Sequence, residues 1–265
     1  MRSARSRAQP RAGAGRPPGM ENALRRFTGA ALDLVAPNTC LACAGGRQAR
    51  AGLCDRCLRH VRPQPPDPCP RCAAPLGPGA LLAACSHCDA LRPRFGAAVA
   101  AGPYAGFLGE LVRRAKYGRD PVLAVPLGEL LAAAVRSWDG RANLTDVLPV
   151  PGTASRIRER GFHLADLLAE RLVDELRVPL RAGWLARVGD PVPQAALARS
   201  ERRRAARGTV ALRTSRWAWR VPRVAGRRVL VVDDVLTTGA TANECARVLL
   251  DAGSEFVRVA VCARA

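Results

Sequence analysis

Lysine is nearly missing from this sequence. Lys116 is the only one, so 41 of the 42 basic residues are arginine, and against 22 acidic residues they leave a formal net charge of +20. Clustered cations bind nucleic acid by releasing counterions from the phosphate backbone, so a charge of this size raises that reading. The scarcity of lysine weakens it, because GC-rich codon usage produces an all-arginine bias equally well. The arginines are also spread along the chain, with local density at residues 2–16, 156–160, 199–207 and 216–228. Charge alone speaks to non-specific affinity and not to fold. A dispersed basic surface is therefore the plainer reading and a nucleic-acid stripe the sharper one.

Long apolar runs are missing as well. No stretch approaches the roughly 18 uninterrupted apolar residues of a helical membrane span, although 48% of the residues are apolar. Residues 1–19 are rich in Arg, Pro, Gly and Ala and hold no apolar core of the length an export signal needs. They read as a disordered tail ending at residue 20, and a cytoplasmic protein is expected. Met20-Glu21-Asn22-Ala23-Leu24 opens an amphipathic helix expected over 21–38, which makes Met20 an alternative start.

What the sequence has in excess is cysteine. Eight of its ten cysteines form four CxxC steps, Cys40/Cys43, Cys54/Cys57, Cys69/Cys72 and Cys85/Cys88, separated by ten, eleven and twelve residues. One CxxC turn aims two thiolates at a point, and two such turns complete a tetrahedral all-sulfur set. Sequence order therefore predicts one structural zinc at Cys40, Cys43, Cys54 and Cys57 and a second at Cys69, Cys72, Cys85 and Cys88. An iron–sulfur cluster, a disulfide relay, and a site in which His60 or His87 replaces a thiolate are the alternatives. Large apolar residues are few between the pairs, so metal is expected to stand in for a core over residues 39–90. Cys245 and Cys262 fall on an apolar helix and strand, where buried, inert thiols are expected.

From Phe95 onward the pattern alternates between helical spacing and apolar strands, the mark of a parallel α/β sheet. Helices are expected around Leu108, Leu111, Val112 and Ala115, over Val122–Val135, over Arg160–Glu175 and over Ala242–Leu250. Strands are expected at Asp146–Val150, Arg228–Val232 and Phe256–Cys262. The third helix is followed by a weakly patterned, arginine-rich stretch from Leu180 to Val221. The chemistry gathers after the second strand, in Asp233-Asp234-Val235-Leu236-Thr237-Thr238-Gly239-Ala240-Thr241. Two carboxylates at the end of a buried strand can accept hydrogen bonds from adjacent ribose hydroxyls. A hydroxyl-and-glycine turn entering a helix offers N–H groups, threonine hydroxyls and a positive dipole end to a phosphate. Each piece has a bland alternative, a turn or a cap, but the order strand, acids, turn, helix is the context such a motif requires.

Val231-Val232-Asp233-Asp234-Val235-Leu236-Thr237-Thr238-Gly239-Ala240-Thr241 resembles the diphosphate-ribose signature of type I phosphoribosyltransferases throughout its length. With four CxxC pairs ahead of it, and with Tyr104, Lys116-Tyr117-Gly118, Val150-Pro151 and Arg160-Gly161-Phe162, the chain is similar to the ComF family, competence-associated proteins with a zinc-ribbon head. The resemblance covers about residues 24–263. It implies a phosphoribosyltransferase-like domain over 95–265, a parallel sheet flanked by helices, behind the double zinc ribbon.

The resemblance also implies roles. Asp233 and Asp234 hold the ribose hydroxyls, and Thr237, Thr238, Gly239, Ala240 and Thr241 take the 5-phosphate. Val150, Pro151, Gly152 and Thr153 lie against pyrophosphate, with Arg156, Arg158 and Arg160 neutralising it, surface pairing being their bland alternative. Gln194, Leu197, Arg199 and Arg202 fall where the family carries a mobile segment. Departures stand at His163-Leu164, where the family usually shows Asn-Gln, and near Ala205, where an asparagine is usual. Both concern the acceptor side.

Transfer from phosphoribosyl diphosphate would use Mg²⁺ and an oxocarbenium-like transition state, with Asp233, Asp234 and Arg160 as the residues nearest the chemistry. No general base for the acceptor is identifiable in the sequence; His163 is a candidate, with a surface or core histidine as the plainer reading, and Glu244 reads as a helix-face charge. Two function classes follow. The first is a transferase acting on an unidentified acceptor in DNA uptake or nucleotide metabolism. The second is a non-catalytic module that senses the ligand or docks single-stranded DNA or a competence helicase-type partner.

Overall fold

The computed structural model describes residues 39–47, 51–76, 85–188, 206–213 and 222–265. The tail and helix expected over 1–38, the segment bearing Gln194, Leu197, Arg199 and Arg202, and Ala205 lie outside them. Among the described residues, Cys40–Ala265 form one compact unit.

Its centre is a four-stranded sheet, parallel throughout, made of β1 (Ala97–Pro103), β2 (Asp146–Pro149), β5 (Arg228–Leu236) and β6 (Phe256–Arg264) in the order β1-β6-β5-β2. A parallel sheet covered on both faces needs near-continuous apolar strands, and Val229, Leu230, Val231 and Val232 are all fully buried. Successive side chains alternate between faces. Leu230 and Val232 join one apolar cluster with Leu108, Leu127, Leu131, Leu164, Leu168 and Leu172. Val229 and Val231 join another with Ala242, Cys245, Ala246 and Leu249. Helices α3 (Gly106–Tyr117), α4 (Ala124–Arg136) and α6 (Leu164–Leu176) cover the first face, and α7 (Ala240–Asp251) covers the second.

The two cysteine sets divide between these faces. Cys40, Cys54 and Cys57, with the short helix α1 (Asp55–His60), belong to the first cluster. Cys69 and Cys72 belong to the second, where Cys85 and Cys88 beside helix α2 (Ser86–Leu91) pack against them. A two-stranded antiparallel pair of β3 (Leu185–Arg187) and β4 (Val210–Leu212), outside the expected elements, meets the chain leaving β2, where Arg187 donates to Pro151 O.

Several expected boundaries move, two of them at the site. The helix expected from Arg160 begins at Leu164, because Gly161 at φ 81° closes a separate helix, α5 (Ala154–Arg160). The strand expected to stop at Val232 runs on to Leu236, because β6 supplies partners as far as Leu236↔Arg264. The acid pair therefore stands inside the strand and not in the turn after it.

Candidate functional site

Each ribbon brings four sulfur atoms to within 4.8 Å of one another. Sγ–Sγ distances are 3.8 Å for Cys43 and Cys54, 3.7 Å for Cys69 and Cys88, and 3.6 Å for Cys72 and Cys85. Four ligands about 2.3 Å from a tetrahedral zinc lie about 3.8 Å apart, so both sets fit that ion, and among the described residues both are all cysteine. His60 instead meets Phe107, ring to ring, at 6.1 Å. Burial alone would raise the Cys40 thiol, but backbone N–H groups of Cys54, Cys43 and Ala42 bring it down to about 6. Cys245 and Cys262 are fully buried, and burial holds both thiols far above their ordinary range.

The residues expected to hold a phosphoribosyl group meet where β2 and β5 lie side by side. Their pairing ends at Pro149↔Val232, and Val150 N–H donates to Val232 O at 2.8 Å. Beyond that point the chain leaving β2 turns toward α6 on one face and the chain leaving β5 turns toward α7 on the other. The crevice outside the carboxyl ends of adjacent strands that diverge in this way is where α/β sheets bind ligands. Here it is a cleft of about 250 Å³ lined by Val150, Pro151, Gly152, Thr153, Arg156, Arg160, Asp233, Asp234, Thr237 and Thr241. Thr238, Gly239 and Ala240 form the turn between. Thr238 Oγ1 accepts Ala240 N–H at 3.3 Å, and Gly239 at φ 74° is the N-cap of α7. Gly152 leaves room for His163, whose Nε2 lies 2.9 Å from where a Cβ would stand. Arg158 is exposed and outside the lining. A larger cavity of about 680 Å³ beside β1 is mostly apolar and contains none of these groups.

The acids differ in their surroundings. Lys116 Nζ lies 2.7 Å from Asp234 Oδ1, with the two side chains 16% and 14% exposed. Burial acts to lower the lysine, but the charge and hydrogen bond of Asp234 outweigh it and hold the ammonium above its ordinary value. Asp233 accepts Asp234 N–H at 2.8 Å. Desolvation, reinforced by the Asp234 charge and opposed by Lys116, raises its carboxyl to about 7.

Two residues given no role in the sequence reading help to build the cleft. Lys116 appeared there only as part of a motif, and its place at the end of α3 follows from the buried stripe Leu108, Leu111, Val112 and Ala115, which sets that helix against the sheet. Arg187 lies in the weakly patterned stretch after Leu180, where no local signal marks it. From β3 its guanidinium donates to Pro151 O at 3.1 Å, Thr209 Oγ1 at 2.8 Å and Thr241 Oγ1 at 3.4 Å, joining the two ligand loops. His163 lines the cleft with Nδ1 3.1 Å from Asp166. Glu244 is a correction. It is 5% exposed and not a surface charge, and it accepts Gly208 N–H at 2.7 Å beside Arg247.

Two family models match the chain, a double zinc ribbon domain over residues 31–89 and a phosphoribosyl transferase domain over 157–265. Competence protein F of Haemophilus influenzae is 31% identical over 230 residues, which are 85% of this chain and 96% of that protein. DNA utilization protein YhgH of Salmonella typhi is 31% identical, and that of Escherichia coli K12 29%, each over 78% of this chain and 88% of theirs. Among solved structures, the glutamine phosphoribosylpyrophosphate amidotransferase of B. subtilis overlays 50% of this chain and 24% of its own at a TM-score of 0.32 and 20% identity.

Proposed function

The chain belongs to the competence protein F family, and from that membership and the cleft at the β2–β5 divergence we propose that it binds a 5-phosphorylated ribose, as ribose 5-phosphate or 5-phosphoribosyl diphosphate with Mg²⁺. The observation that carries the reading is the meeting, in one cleft, of the Asp233–Asp234 pair, the Thr237–Thr241 turn at the start of α7 and the Val150–Thr153 loop. The carboxylates accept the ribose hydroxyls. Turn N–H groups, threonine hydroxyls and the dipole of α7 hold the 5-phosphate. Arg156 and Arg160 offset the charge of a diphosphate on the opposite wall. When bound, Mg²⁺ would supply charge neutralisation of the departing diphosphate, with the two aspartates as the hard oxygen donors nearest to it. In transfer to an acceptor, Arg160 would steady the leaving group, and His163, which also lines the cleft, is the candidate base.

Calorimetry with phosphoribosyl diphosphate and Mg²⁺, comparing wild type with Asp233→Asn/Asp234→Asn, tests the reading. Binding heats should disappear in the double variant, and heats equal to wild type would reject these carboxylates as ligands.

A second reading, handling of single-stranded DNA during uptake, draws support from the relatives' names and the net charge of +20. It demands an affinity that falls steeply with salt, log K against log salt having a slope of about −0.7 per phosphate contacted. A flat dependence would count against it.

A further inference from the structure

Arg264 is a charged residue at the end of β6 that is only 4% exposed. Its Nη1 donates to Leu236 O at 2.7 Å and Thr237 O at 2.8 Å and also meets Ala265 O, while Nε donates to Cys72 O at 3.0 Å. One guanidinium thus holds two consecutive carbonyls at the entrance of the phosphate turn and a carbonyl inside the first knuckle of the second cysteine set. That knuckle is closed by Cys69 N–H on Ala74 O and Ala73 N–H on Cys69 O, both at 2.8 Å. A trans peptide points its C=O and N–H in opposite directions. Fixing the Leu236 and Thr237 carbonyls on Arg264 therefore turns the N–H groups of Thr237 and Thr238 away from Arg264, and Thr237 itself lines the cleft.

The chain leaving this ribbon also touches the turn and the helix that follows it. Leu91 Cδ2 would lie 2.6 Å from a Cβ on Gly239, and Arg94 N–H donates to Asn243 Oδ1 at 2.5 Å on α7. Among the described residues, the first cysteine set makes no contact in this network. It packs in the cluster on the other face of the sheet, with α3 and α4.

We propose that Arg264 is a positioning residue that couples the second four-cysteine zinc site to the phosphate turn, so that metal at Cys69, Cys72, Cys85 and Cys88 sets the aim of the anion-binding N–H groups. The ligand half of this inference rests on the phosphoribosyl reading, and the mechanical half does not. A coupling between two sites is reciprocal in its binding free energies. Ribose 5-phosphate should therefore raise the zinc affinity of the second set and leave that of the first unchanged.

Full-length variants test it by amide hydrogen exchange at Thr237 and Thr238, together with zinc content. Arg264→Met should keep both zinc ions, one per four-cysteine set, while exchange at these two amides rises and ribose 5-phosphate binds about tenfold more weakly. Cys88→Ser, which loosens the second set, should raise the same exchange. Cys43→Ser, which loosens the first, should leave it at the wild-type rate. In wild type, equilibrium competition with a chromophoric chelator should show one of the two zinc ions held about tenfold more tightly in saturating ribose 5-phosphate. Exchange unchanged in Arg264→Met or in Cys88→Ser, or raised equally in Cys43→Ser, overturns the coupling. If Arg264→Met fails to fold, Arg264→Lys keeps the charge without the planar fork and should raise exchange with zinc retained. Exchange needs no ligand, so a wild type that ignores ribose 5-phosphate would defeat the phosphoribosyl reading while the amide comparison still decides the coupling.

Discussion

Asp233 keeps its proton to about pH 7, where an aspartate in an unfolded chain releases it near 4. Between those values the native state binds more protons than the unfolded one, so this residue makes the fold less stable as pH rises through the window. On the proposed function ligand binding would run the other way, because ribose hydroxyls and Mg²⁺ both prefer a carboxylate to a carboxylic acid. Affinity for ribose 5-phosphate, measured by calorimetry from about pH 5.5 to about 8.5, is expected to climb with a midpoint near 7. Lys116 is the cation that opposes the rise. In Lys116→Met the midpoint should therefore move upward, and in Asp233→Asn this component should vanish while thermal stability above neutral pH increases. Of this, the sequence made legible that two adjacent acids follow an apolar strand. Their unequal titration was not legible, because it comes from a lysine 118 positions before Asp234, brought to 2.7 Å by the packing of α3.

At the scale of elements, the phosphate turn depends on the start of α7. Gly239 there is left-handed at φ 74° and abuts Leu91. Gly239→Ala is expected to cost about 1–2 kcal/mol from the backbone alone, more from the collision, and to weaken phosphate binding, as urea unfolding and calorimetry would register. The other end of the first turn of α7 anchors the β3–β4 pair through Glu244 and Gly208. Burial would raise Glu244, but Arg247 and the Gly208 N–H hold it below its ordinary value. Its contribution is thus present above the unfolded-state pKa and is lost as pH falls through the folded one. Glu244→Gln should destabilise by about 1–3 kcal/mol at neutral pH, with the gap from wild type closing in acid melts. A pair of three-residue strands, Leu185–Arg187 and Val210–Leu212, leaves no periodicity to read, and neither did the arginine it carries.

For the whole molecule, the zinc ribbons are parts of two shared cores. Cys40, Cys54 and Cys57 pack with α3 and α4, and Cys69 and Cys72 with Phe95 and the far face of the sheet. Removing metal is therefore expected to lower the melting temperature of the entire described unit, by about 10 °C or more, and not to melt residues 40–88 alone. Circular dichroism of chelator-treated protein checks this. Two separate transitions, with the sheet melting at its original temperature, would contradict it. Many arginines behind the net charge of +20 are engaged within the fold, such as Arg171 with Glu129, Arg187 with the ligand loops and Arg264 with four carbonyls.

The sequence by itself determined the two all-cysteine sets, the parallel α/β class and the acid–threonine–glycine segment. All three are local: CxxC spacing, a run of β-branched residues and a short signature each act within a few residues of chain. Tertiary structure alone decided that Lys116 neutralises Asp234, that Arg187 joins the two ligand loops, that the ribbons divide between the faces of the sheet and that Arg264 ties one of them to the phosphate turn. Those contacts join positions from 27 to 192 residues apart. Their partners are chosen by which helix covers which face of the sheet, and no pattern within one segment encodes that choice.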